Sequence, residues 1–348
     1  MKILMAYPPA AAIVRGGLWT QVQNTIEHLR SLGVEVETFE SSSDITSLRG
    51  FDLCHVIGAN MGTFHLVREL YRKGLPLVVS PVFFSLHSPR FLRTALSVQG
   101  LMNHFVYGLW MDYGFIAELC RWGRAVVPNS QAEALLLSRG FNIDEEKITV
   151  VPNGVDERFY NARPDIFQKK FGMQGFVLNV GYFGSARKNT LRLIHVLKSF
   201  DVTAVIIGQR EDPRYFEQCR REAGDNPRIV LIEGLPHDSD LLASAYASCD
   251  VFVLPSMFET PGIAALEAAL AGAKIVITKY GGTLEYFGTW AEYIEPTSEE
   301  SIASGIRIAL VKPRTPDLRE HIRRNFLWTS VAEKVLEVYR RVVSGASR

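Results

Sequence analysis

The sequence predicts an α/β protein made of two doubly wound parallel-sheet domains facing each other across a cleft, and three observations predict it. Short apolar runs rich in Val, Ile and Leu alternate with helical patterns along the whole chain. Such runs, bounded by Gly, Pro, Asn or Ser, are what strands covered on both faces look like, and their alternation with helices implies parallel sheets. The alternation occurs twice. The 348 residues also exceed one ordinary domain, at roughly 150 residues per domain.

The first series of predicted strands is Lys2–Tyr7, Val34–Phe39, Asp52–Ile57, Leu75–Ser80, Arg124–Pro128 and Lys147–Val151. Within Leu18–Leu32, Val22, Ile26 and Leu29 recur at helical spacing, and Gly33 follows as a stop. The second series is Phe176–Val180, Thr203–Ile207, Arg228–Glu233, Asp250–Leu254, Lys274–Thr278 and Glu292–Glu295. Between the two series, Pro152-Asn153-Gly154-Val155-Asp156 is the punctuation a turn or hinge needs. The expected domains are therefore residues 1–153 and 154–327, followed by a last helical stretch, 328–348.

Composition narrows the function. Hydrophobic residues at 47% and charged residues at 22% allow a large buried core. A net charge of +1 supplies no field toward nucleic acid. Cys54, Cys120, Cys219 and Cys249 form no CxxC pair, so neither a zinc cage nor a disulfide framework is indicated. The apolar start, Met1 to Tyr7, is too short for a signal peptide. Leu96 to Cys120 is interrupted by Asn103, His104, Asp112 and Glu118, which rules it out as a membrane span. A cytoplasmic protein is expected.

Ligands of doubly wound sheets bind beyond the carboxyl ends of the strands, so chemistry belongs on the loops that follow them. The richest loop follows Asp250–Leu254 and runs from Pro255 to Gly272. A helix of small residues begins near Pro261 and Gly262, and its free amides and positive dipole end would suit a diphosphate or a sugar hydroxyl. Glu259 stands just before that end. Glu267 follows eight residues later, on the same helical face. A carboxylate there can accept two hydrogen bonds from a ribose diol. The plainer alternative makes Glu259 a capping acid and Glu267 a solvated helix residue.

The run Phe258-Glu259-Thr260-Pro261-Gly262 through Glu267 to Gly272 resembles the E-x7-E signature of retaining GT-B glycosyltransferases of the family 4 kind, the glycosyl transferases group 1. Gly16-Gly17 after the first strand, Asn153-Gly154-Val155-Asp156, Gly281-Gly282-Thr283-Leu284-Glu285 and the final helix Trp328–Val343 resemble further family features, in order. The resemblance implies two Rossmann-like domains, with residues 328–348 packing back on the first. It implies transfer, with retention, from a nucleotide-diphosphate sugar to a glycan, lipid-linked or small-molecule acceptor, as in polysaccharide biosynthesis. The UDP- or GDP-sugar would be a substrate, and neither a cofactor nor a metal is expected.

By the same resemblance, Glu267 would bind the donor ribose and Glu259 the hydroxyls of the transferred sugar. Amides at Gly262 and Ile263 would hold sugar or phosphate, and Gly16 and Gly17 would let the backbone approach the donor phosphates. The phosphate clamp is partly present in Gly181-Tyr182-Phe183-Gly184-Ser185-Ala186-Arg187-Lys188. Lys188 matches the family lysine and is the leading catalytic candidate, because a departing diphosphate needs positive charge. Tyr182 occupies the usual arginine position. Arg187 could replace that charge, although its spacing places it on a different side of the loop. The family's reaction-centre histidine has no clear counterpart: His87 lies several residues late, and His104 is a further candidate.

Other segments carry weaker expectations. Gly208-Gln209-Arg210 and Gly234-Leu235-Pro236 each follow a strand and could lie against the nucleotide. Asp238-Ser239-Asp240 precedes a helix and reads as a cap rather than a metal site. The aromatic stretch Phe83–Trp122, with Arg90, Arg93 and Arg121, is either core or, as the resemblance implies, an acceptor-facing surface able to meet the inner face of a membrane. With no carboxylate set as a covalent nucleophile, front-face attack is the route the family implies. The rival readings are a nucleotide-sugar 2-epimerase of the same fold and a catalytically impaired nucleotide-sugar-binding homologue.

Overall fold

The computed structural model describes residues 1–14, 16–39, 48–103, 111–184 and 186–346. His104 lies outside them. The chain divides into two compact units, Met1–Gly154 with Trp328–Arg348, and Val155–Leu327.

In the first unit, β1 (Lys2–Ala6), β2 (Glu35–Thr38), β3 (Leu53–Ile57), β4 (Leu77–Ser80) and β5 (Ala125–Val126) form a parallel sheet ordered β2-β1-β3-β4-β5. Every residue of β3 and β4 is buried, and apart from His55 and Ser80 both are apolar throughout. The edge strand β2 exposes alternate residues. The helix Gly17–Ser31 presents Val22, Ile26 and Leu29 to this sheet. The helix Trp328–Ala346 joins the same cluster through Val331, Val335 and Val342. Its Tyr339 hydroxyl meets His55 Nδ1 at 2.6 Å, and His55 Nε2 meets the Ser80 hydroxyl at 2.9 Å. Burial pushes the His55 imidazole down to about 3, so a neutral ring ties this helix to two strands.

One expected strand is absent. Residues 147–151 make a single bridge, Ile148 with Val126, while Thr149 N–H donates to the Val126 carbonyl at 2.9 Å and Val151 N–H to the Pro128 carbonyl at 3.0 Å. Pro128 has no N–H to return the bond, so the ladder stops.

The second unit holds β6 (Val177–Phe183), β7 (Ala204–Arg210), β8 (Ile229–Glu233), β9 (Val251–Leu254), β10 (Lys274–Thr278) and β11 (Ala291–Ile294). All pair in parallel, in the order β11-β10-β9-β6-β7-β8. The chain moves outward from β6 to β8 and returns on the other side at β9. Loops leaving β6 and β9 therefore diverge from neighbouring strands, where such sheets form a binding crevice. The pairing of β6 with β7 runs on to Phe183 with Arg210. Tyr182, Gly208, Gln209 and Arg210 are thus inside strands, not in the loops expected, because the ladder hydrogen bonds continue past the apolar run.

Asp238-Ser239-Asp240 is a cap: the Ser239 hydroxyl accepts from Leu242 N–H at 3.2 Å and starts the helix Asp240–Ser248. All four cysteines are buried and unpaired. No described helix is long and apolar enough to cross a membrane.

Candidate functional site

The site is assembled on the second sheet, from loops that leave the carboxyl ends of adjacent strands. After β6, the chain makes a tight turn at Ala186–Lys188. After β9, it runs through Pro255 to the helix Ile263–Leu270. Because β6 and β9 are neighbours, the two loops meet. Lys188 Nζ donates to Glu259 Oε1 at 2.6 Å, with only 7% of the Glu259 side chain exposed. Arg187 Nη1 lies 3.6 Å from the same oxygen and donates to the Phe258 carbonyl at 2.9 Å. The expectation that Arg187 faces another side of its loop is therefore corrected. Its long side chain folds back over the Phe258 ring, 5.1 Å from the centroid, and both cations reach one carboxylate.

Burial pushes the Glu259 carboxyl up, but Lys188, Arg187 and the neighbouring Ser256 hydroxyl outweigh it and hold the group below its ordinary range. Glu259 is thus a buried, paired anion. Two supports keep it in place. Asn189 adopts a left-handed φ of +59° and donates to the carbonyls of Pro255 at 3.0 Å and Pro296 at 2.7 Å, stitching together the loops after β6, β9 and β11. The loop after β10 lies against Glu259 itself: Glu259 N–H donates to the Tyr280 carbonyl at 3.1 Å, and Gly282 N–H to the Glu259 carbonyl at 3.0 Å. A Cβ at Gly281 would stand 1.7 Å from that carbonyl oxygen, so only glycine permits the approach.

The helix Ile263–Leu270 starts at Gly262, buried with a φ of +76°, and no side chain caps it. Ala265 N–H closes the first turn on the Gly262 carbonyl at 2.8 Å, and the amides ahead of it are of the kind that a helix start leaves to other acceptors. Glu267, further along, is 3% exposed and is no solvated helix residue. Its Oε2 accepts from the Tyr246 hydroxyl at 2.7 Å, and its Oε1 meets His237 Nε2 at 2.6 Å. Glu267 raises the pKa of His237 above the ordinary value, against the opposing effect of partial burial. His237 follows Leu235, which is half-buried against the core of this unit.

The remaining expected residues are placed as follows. Tyr182 is half-buried in β6, where burial pushes its phenol up to about 12. Gly208 is buried inside β7. In the first unit, Gly16 caps the helix Gly17–Ser31 with extended backbone, and a short helix, Ala10–Val14, intervenes between β1 and this glycine pair. His87 is exposed and stacks on Phe91 at 4.3 Å.

Sequence reasoning missed His237, Tyr246 and Asn189. It also missed Glu133 in the first unit, fully buried, whose carboxylate accepts from the backbone N–H of Phe83 and of Asn129, each at 2.7 Å. Beside it, Val82 is held at a φ of +55°, an uncommon state for a β-branched residue. For Glu133, the signal was the Ser130 cap three residues ahead. The others carry no spacing signal.

Both units resemble known proteins. The family described as glycosyl transferases group 1 matches residues 163–326, and glycosyltransferase family 4 matches residues 15–159. An uncharacterized glycosyltransferase of Methanocaldococcus jannaschii is 28% identical over 225 residues, covering 58% of this chain and 55% of that protein. A D-inositol 3-phosphate glycosyltransferase of Stackebrandtia nassauensis is 26% identical over 249 residues, covering 63% and 56%. The chain spans just over half the length of these two relatives. Sucrose-phosphate synthase of Thermosynechococcus elongatus superposes over 99% of both chains with a TM-score of 0.78 at 17% identity. HepE of Anabaena, in complex with UDP, does so over 98% of this chain and 100% of its own, with a TM-score of 0.72 at 18% identity. At such identities these two structures establish the fold alone.

Proposed function

The chain belongs to the group 1 glycosyltransferases of the GT-B fold, and on that premise we propose that it transfers a sugar, with retention, from a nucleotide-diphosphate sugar to a glycan, lipid-linked or small-molecule acceptor. The observation that carries the proposal is the convergence of Lys188 and Arg187 on Glu259, just ahead of an uncapped helix start. Two cations against one carboxylate leave one positive charge in excess, and the helix end adds the positive pole of its dipole. A departing diphosphate needs positive charge, and this arrangement supplies it.

The groups divide the work. Donor phosphate competes with Glu259 for Lys188, and the carboxylate so released accepts hydrogen bonds from the sugar hydroxyls. Amides at Gly262 and Ile263 hold phosphate or sugar oxygens. Glu267 uses its remaining lone pairs for the ribose hydroxyls, because an ionised carboxylate offers about four acceptor positions and Tyr246 and His237 take two. Attack from the front face follows, with the leaving phosphate accepting the acceptor's proton. Lys188 and Arg187 take the part a divalent ion would otherwise play, so transfer should persist in EDTA. The complexes of HepE with UDP and with UDP-glucose support a UDP-sugar donor. Exposed Phe91, Val98 and Leu101 on the helix Pro89–Met102, beside Arg90 and Arg93, support peripheral membrane contact and a lipid-linked acceptor.

A thermal-shift panel of UDP, GDP, ADP and their sugars tests the reading, because a ligand bound only by the folded chain raises its apparent stability. A rise with one nucleotide series that Lys188→Ala abolishes is expected. No shift with any nucleoside diphosphate sinks the proposal.

A further inference from the structure

Away from Glu259, at the other end of the second sheet, lies a cavity of about 340 Å³. This is within the roughly 300–1,000 Å³ of small-molecule sites. It opens where Lys274 begins β10, whereas Gly281 and Gly282 follow that strand's carboxyl end. The five residues of β10, at ~3.3 Å each, separate the two ends by about 15 Å. A ligand here would not collide with a nucleotide at Glu259.

The lining is unbalanced in charge. Lys274, Lys312, Arg314 and Arg319 face one lining carboxylate, Glu292. Behind the wall, Asp250 takes Lys274 at 2.9 Å and Arg314 at 3.1 Å. Lys312 pairs with Glu292. Arg319 donates to the carbonyls of Leu270 and Tyr160 and lies 3.9 Å over the Tyr160 ring. Among the described residues it has no carboxylate within ion-pair distance. Four cations against two carboxylates leave two positive charges in excess, concentrated in a concave site where a low-dielectric wall strengthens their field. Trp290 supplies an apolar wall. It is 43% exposed, an unusual state for so large a ring, and is backed by His321 at 4.5 Å.

We propose that this cavity is a second binding site, for a phosphorylated monosaccharide. Arg314 and Lys312 hold the phosphate through charge-assisted hydrogen bonds, and the C–H face of the sugar ring lies on the electron-rich face of Trp290. The proposal is independent of the donor reading.

Calorimetric titration of the whole protein tests it, with glucose 6-phosphate as the probe and inorganic phosphate and glucose titrated separately. Glucose 6-phosphate should bind once per chain, at least tenfold more tightly than phosphate or glucose. Lys312→Glu and Trp290→Ala should each weaken it at least tenfold, and Lys188→Ala should leave it unchanged. Lys312 is half-exposed, so its variant keeps the fold, which circular dichroism verifies, and it decides the matter if Trp290→Ala does not fold. Absence of binding, equal binding of inorganic phosphate, undiminished binding by Lys312→Glu, or loss in Lys188→Ala would each overturn the proposal.

Discussion

Glu259 and Glu267 stand eight residues apart on one short stretch and are almost equally inaccessible, at 6% and 3% exposure. Their surroundings differ completely. Glu259 is held by two cations from another loop, a partnership that an incoming anion can compete for. Glu267 is held by a phenol and an imidazole, partners that orient a carboxylate while leaving it acceptor capacity. One spacing thus yields two kinds of group: one suited to exchange its counter-ion during a reaction, the other to hold a ligand in register.

The largest effect should follow loss of Lys188. Removing one donor to a developing anion lowers turnover by about 10²–10³-fold, and taking the nearer of two cations from a buried carboxylate costs stability, by less than the ~3–5 kcal/mol of a fully unpaired buried charge because Arg187 remains 3.6 Å away. Initial rates at saturating donor and urea unfolding of Lys188→Ala measure the two, and native rates would erase the contrast between the carboxylates. Next is acid sensitivity. Because the Glu259 carboxyl is held below its ordinary 4.5 in the folded chain, its stabilisation is present above that value and disappears as pH falls through the depressed one. Glu259→Gln should flatten this acid limb, and an unchanged limb would mean that other groups carry it.

A smaller change is expected at the second carboxylate. Glu267→Ala should raise the donor KM about tenfold with kcat nearly preserved, the signature of a lost binding contact felt equally in ground and transition states. A matching collapse of kcat would make the two carboxylates alike. The smallest effect belongs to His237. Its pKa is raised above 6.5 by Glu267, so its contribution to stability is complete below 6.5 and lost as pH rises through the raised value. His237→Ala should melt earlier than the native chain in mild acid and coincide with it at alkaline pH, and a gap independent of pH would remove the charge from the explanation.

Much of this was legible in the primary structure. The buried strands were readable because both of their faces are covered. The Ser239 cap was readable because a hydroxyl before an apolar helical run satisfies an orphan amide. The glycines at 281 and 282 and the two acids at 259 and 267 announced a loop with a purpose. The ends of β6 and β7 were harder, since ladder hydrogen bonds extend beyond the hydrophobic stretch. Residues 147–151 misled because their apolar content matched a strand that Pro128 cannot pair. Arg187 misled because turn geometry alone ignores how far a guanidinium can reach.

By itself the sequence determined the alternation of strands and helices, because that depends on local periodicity and on the need to cover apolar surface. Only the tertiary structure decided that Lys188 meets Glu259 across 71 positions and His237 meets Glu267 across 30. Those meetings follow from the order in which strands lie side by side, and no spacing along the chain encodes that order directly.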